Sequence, residues 1–181
     1  MKRIPLSLFT FLFLLSGLCA APTKTVWQIG EKNHSASELA LSPDKYKEFL
    51  ANDFGWEDRF YIIGLSSPQK DFPYVLPGPA DHWGGTSYTA GIRTHVLNIL
   101  FGMKEVPETD SWKLIIDLLD THHEFPALFK ITINGKSWKY ALPKGSGKSI
   151  DGDYSQIKPH TIEIPLNSGV IRKGSNSIAL T

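Results

Sequence analysis

Between Phe129 and Ala141 the chain alternates apolar and polar residues, breaks at Asn134-Gly135, and alternates again. Phe129, Ile131 and Ile133 interleave with Lys130, Thr132 and Asn134, a period of two that marks a half-buried strand. Asn-Gly is the pair that most readily takes the positive φ angles of a two-residue hairpin turn. The return strand, Lys136 to Ala141, then carries Trp138 and Tyr140 on one face. A Gly-, Ser- and Asp-rich loop follows. Thr161 to Pro165 sets Ile162 and Ile164 on one side, and Gly174-Ser175-Asn176 is expected to turn the chain into a last strand, Ser177 to Thr181. Short antiparallel strands joined by turns predict an all-β sandwich.

The 181 residues suffice for about one domain with its own core. Lys2 and Arg3, the apolar run Leu6 to Leu15 and the small residues before Pro22 read as a secretory leader cut after Ala20. The run is too short for a membrane span, which needs roughly 20 apolar residues. A lipoprotein signal would cut before Cys19, but Leu18 is bulky where that signal takes Gly or Ala. The expected product, residues 21–181, is secreted or periplasmic and has no cysteine. Of 19 basic residues two leave with the leader, so 17 face 18 acidic ones. Such a balance leaves no electrostatic footprint for nucleic acid.

Upstream, Thr25 to Ile29 is expected to be a first strand, and Ser42-Pro43-Asp44 to open one short helix over Tyr46, Phe49 and Leu50. Tyr61 to Ile63 reads as a strand. Residues 66–89 hold four prolines and three glycines, which predicts a long loop with Phe72 to Leu76 as an edge strand. Ala90 to Met103 leans to strand. Trp112 to Leu119 is apolar on both faces and is expected near the middle of the sandwich.

In that order, Val26-Trp27-Gln28-Ile29-Gly30, Gly55-Trp56-Glu57-Asp58-Arg59, Trp112 to Ile116, Ile131 to Gly135, and Ile164-Pro165 through Gly174 to Thr181 resemble the carbohydrate-binding-module-like third domain of family 4 polysaccharide lyases, the rhamnogalacturonan lyases. The resemblance covers about Val26 to Thr181. It implies a jelly-roll β-sandwich of the galactose-binding-like type, attached to enzymes that act on pectic polysaccharide. It implies no catalysis in this chain, because the lyases' catalytic lysine and histidine belong to a separate β-domain that no segment here resembles. The family's arginine-bearing loop before the last two strands is replaced by Ser149 to Tyr154 and Lys158-Pro159-His160.

Sugar recognition needs flat rings to stack on pyranose faces and planar polar groups to meet hydroxyls. Trp83 with Asp81, His82 and Tyr88 has that composition on the long loop, and Trp56 with Arg59 is a second candidate; Trp27, Trp112 and Trp138 lie on strands and read as core. His122-His123-Glu124 contains zinc-ligand types, but neighbouring imidazoles on extended chain should point in opposite directions. Asp151 and Asp153 offer the oxygen ligands of a structural calcium but fall short of a calcium loop. Gly145-Ser146-Gly147-Lys148-Ser149 imitates the end of a phosphate-binding loop, yet Leu142 stands where that motif needs glycine. No catalytic residue is assigned. Three functions fit these residues: a non-catalytic module that binds poly- or oligosaccharide for a polysaccharide-degrading protein, the N-terminal part of a lyase or glycosidase with its catalytic domain downstream, or a purely structural sandwich. The first is preferred.

Overall fold

The computed structural model describes residues 24–42, 45, 48, 58–76, 96–106, 112–149 and 152–181. Seven strands and one short helix occur there: β1 Arg59–Ile62, α1 Pro68–Asp71, β2 Leu97–Met103, β3 Trp112–Leu118, β4 Leu128–Ile133, β5 Lys136–Ala141, β6 His160–Leu166 and β7 Gly174–Leu180. Five strands form one sheet in the order β1-β2-β7-β4-β5, and β3 and β6 pair as a second layer. The two layers make a β-sandwich.

The Asn-Gly hairpin forms as its chemistry dictates. Asn134 and Gly135 both have positive φ, 47° and 89°, the primed-turn geometry that matches strand twist. It sets a register in which Ile131 faces Trp138 and Phe129 faces Tyr140. Phe129, Ile131 and Ile133 then point inward and meet Ile162, Ile164 and Leu166 of β6. β7 lies between β2 and β4 and adds Ile178 and Leu180. Each such side chain contributes roughly 1.5–3 kcal/mol on burial, so this shared layer is the main source of cohesion.

Among the described residues one buried polar side chain, Asn176, joins the apolar ones. Asn176 donates to the carbonyls of Arg172 (2.8 Å) and Gly174 (3.1 Å), and its Oδ1 accepts from the Arg172 amide (2.9 Å) and from Asn134 Nδ2 (2.7 Å). Asn134 in turn donates to the Val170 carbonyl and accepts from the Ser177 amide. Gly174-Ser175-Asn176 is therefore not a turn before the last strand but the start of β7. Asn176 satisfies its own buried groups by clasping the β6–β7 loop to the hairpin.

Other expectations need correction. Thr25 to Ile29 forms no strand: Trp27 packs its ring on Phe101 at 5.2 Å, which buries apolar surface without needing a backbone ladder. Phe72 to Leu76 supplies only an isolated bridge between Pro73 and Ala40, because proline has no amide to extend the pairing. The Pro-rich stretch instead opens α1, with Pro68 at the first turn, where its missing N–H is harmless, and Asp71 Oδ2 accepting from the Ser67 amide at 2.7 Å. Among the described residues β3 pairs with β6, and Leu114, Ile116 and Leu118 face the core while Ile115 turns outward at 47% exposure. The helix expected after Ser42 falls almost wholly outside the described residues; of those described there, Lys45 and Glu48, Glu48 has helical backbone.

Candidate functional site

At one end of the sandwich, loops converge on Asp120, just past β3. Its carboxylate accepts from the Ser146 amide (2.7 Å), the Lys148 amide (3.2 Å), the Lys158 amide (3.4 Å) and the Ser146 hydroxyl. Backbone bonds from Gly145 to the His122 carbonyl and from Gly147 to the Thr121 carbonyl draw the β5–β6 loop against the β3–β4 loop. Gly145 is buried, and a Cβ there would collide with Thr121 and Asp120. Gly147 has φ +68°. The segment that imitates a phosphate-binding loop thus does cradle an anion, and that anion is the chain's own carboxylate. Partial burial pushes the Asp120 carboxyl up. The bonds from the Ser146 hydroxyl and amide, and from the amides of Thr121 and Lys158, outweigh this and hold it below the usual carboxylate range.

The knot displays rings. His122 Nδ1 accepts from the amides of Glu124 (3.1 Å) and Phe125 (2.9 Å), curling the chain into a tight bend. A nitrogen that accepts carries no proton, so the neutral imidazole bears its hydrogen on Nε2. Because the chain is bent rather than extended, the two imidazoles do not point in opposite directions. They stack at 4.6 Å and 24°, and Phe125 lies 5.9 Å from His122 at 28°. Phe125 is 75% exposed, and Leu128 at the start of β4 is 63% exposed. Three nearly parallel rings thus stand at the rim, braced by the Asp120 knot. Among the described residues no three His, Cys, Asp or Glu side chains gather as a metal site, and His122 Nδ1 already faces two amides.

Of the residues singled out from the sequence, Trp56, Asp81, His82, Trp83, Tyr88 and Asp151 lie outside the described residues. Arg59 opens β1, with its amide on the Val96 carbonyl at 2.8 Å, and Asp58 Oδ1 takes the Val96 amide at 3.0 Å. Asp58 thereby helps start the β1–β2 pairing. Asp153 takes the Ser155 hydroxyl and amide, bonds that lower its pKa and close a local turn. Trp27, Trp112 and Trp138 pack on the core as read. The ring stack escaped sequence reasoning, which treated His122 and His123 only as metal ligands. The available signal was a loop run in which three of four consecutive residues, His122, His123 and Phe125, carry planar rings.

A family model for the CBM-like domain, domain III of polysaccharide lyase family 4, matches residues 25–181. The chain belongs to this family. Among curated proteins nothing matches it. In this CBM-like domain, then, the described rim combines exposed rings with the hydrogen-bonding groups of adjacent loops, the composition that carbohydrate surfaces require.

Proposed function

We propose that this CBM-like domain is a non-catalytic module that binds pectic polysaccharide, of the rhamnogalacturonan type, and thereby docks a polysaccharide-degrading catalytic domain on its substrate. The observation that carries the reading is the exposed stack of His123, His122 and Phe125 at a rim whose loops are hydrogen-bonded to Asp120. A pyranose ring set on Phe125 buries apolar C–H surface against a ring already oriented, so little conformational entropy opposes binding. The loop with Asp81, His82, Trp83 and Tyr88, and the pair Trp56 and Arg59, supply further rings and polar groups on sequence grounds. The leader at residues 1–20 supports export to where such polymers occur.

Affinity electrophoresis through gels containing plant cell-wall polysaccharides tests this reading. Retardation by a pectic polymer is expected, and Phe125→Ala should weaken it about tenfold, the scale of losing one stacking contact of roughly 1–1.5 kcal/mol. Absence of retardation by every cell-wall polysaccharide would sink the proposal.

A further inference from the structure

The two layers differ in charge. In the β3–β6 layer both carboxylates are neutralised: Asp117 by Lys32 at 2.7 Å and Glu163 by Lys113 at 3.0 Å. The five-stranded sheet contains Arg59, Lys130, Lys136 and Lys139 and no Asp or Glu in any strand. Lys130 and Lys139 are register partners on its outer face, both exposed, and neither has a carboxylate partner among the described residues. Like charges directly opposite, with Cβ atoms about 5 Å apart, disfavour the sheet. The fold gains nothing from this pair.

The surroundings of the pair indicate what would sit there. Thr132 and Ser137, the next outward pair, share a hydroxyl hydrogen bond of 2.8 Å. Across β7 and β2 the same face continues through Ser175, Ser177, Ala179, Asn98, Leu100 and Gly102, in which the hydroxyls of β7 lie beside the hydroxyl pair and Leu100 is the one bulky apolar side chain. At about 4.8 Å per strand the five strands present a platform about 19 Å across. The β1 edge bears Phe60 at 59% exposure. Beside it a cleft of about 280 Å³ is lined by outward side chains such as Ile62 and Leu100 and by inward ones, Ile63, Phe101 and Asn176. Two cations are too few for a nucleic acid, whose binders neutralise roughly 6–10 phosphates. A polymer with many hydroxyls and spaced carboxylates fits both features.

We propose that this outer face, distinct from the ring-bearing rim, binds an acidic polysaccharide, with Lys130 and Lys139 sharing a uronate carboxylate and Thr132, Ser137 and Ser177 meeting ring hydroxyls. The inference rests on the carbohydrate reading above and adds a second binding face with the lysines that would meet the carboxylates. The test compares two probes, polygalacturonate and its fully methyl-esterified form, by titration of the whole chain at low and high salt. Wild type should prefer the acid form, and that preference should fade with salt. Lys130→Gln with Lys139→Gln should weaken polygalacturonate binding about tenfold while leaving binding of the ester in place, and melting should be unchanged or slightly higher once the like-charge pair is gone. Equal binding of acid and ester by wild type, or undiminished polygalacturonate binding by the double variant, overturns the proposal. A chain that binds the ester but not the acid keeps the carbohydrate reading and loses this one. A chain that binds no polysaccharide loses both.

Discussion

Gly145 shows how one residue holds the rim together. Its Cα lies against the Thr121 backbone and the Asp120 carboxylate, so a methyl group has no room there, and the atoms in its way are mostly backbone. Gly145→Ala should therefore push the β5–β6 loop off Asp120 and destabilise the domain by about 1–3 kcal/mol, the usual cost of overpacking. Gly102→Ala is the comparison: a Cβ there meets nothing within 4 Å, and the change should stay within about 0.5 kcal/mol. Urea midpoints of the two variants decide it; equal midpoints would mean that the close approach is not a constraint. At this scale the sequence was informative where backbone geometry is local. Asn134-Gly135 announces its positive φ angles because few other pairs accept them. Gly145 does not announce its role, since the need for glycine comes from Asp120, 25 positions earlier.

The same division holds for elements. β4 and β6 were legible because one face of each is sealed and the other wet, so burial and alternation coincide in Phe129, Ile131, Ile133, Ile162 and Ile164. β3 is different: Ile115 is apolar and yet faces outward at 47% exposure, so the pattern records which residues can be buried and not which are. The early segment around Trp27 failed differently: its side chains are core-like, but its backbone joins no ladder. As for the candidate site, the loop positions of His122, His123 and Phe125 were legible, whereas their stacking depends on His122 Nδ1 capturing two amides. These layer assignments give a paired prediction. Ile164→Ala, at a fully buried position opposite Leu114, should cost about 2–5 kcal/mol. Ile115→Thr, on the outward face of the same pair of strands, should change stability by no more than about 0.5 kcal/mol. If Ile115→Thr proved as costly as Ile164→Ala, β3 would have a covering layer on its outer side.

For the molecule as a whole, acid is the most revealing stress, because two carboxylates tie the second layer to its surroundings. Asp117 of β3 takes Lys32 Nζ at 2.7 Å and the Thr161 hydroxyl, joining the N-terminal segment to the β3–β6 pair. Partial burial raises its pKa, but these two partners outweigh it and leave it lowered. Asp120 is lowered as well, through donors on the β5–β6 loop. In the unfolded chain both titrate near the ordinary aspartate value of about 3.9. A carboxylate whose folded pKa is the lower one binds fewer protons folded than unfolded, so its contribution is complete above the unfolded value and disappears as pH falls through the folded pKa. Urea midpoints should accordingly be level from neutral pH down to about 5 and drop below about 4. Asp117→Asn and Asp120→Asn should each lower the midpoint at neutral pH and flatten the acid slope. Salt separates the two. Lys32–Asp117 is an exposed ion pair and should weaken on screening, whereas Asp120 is held by a hydroxyl and amides, to which added ions matter less. High salt should therefore erase more of the acid slope in Asp120→Asn, where Asp117 alone remains, than in Asp117→Asn. An acid slope in Asp120→Asn as steep as that of wild type would show that the knot of loops contributes nothing to the cohesion of the sandwich.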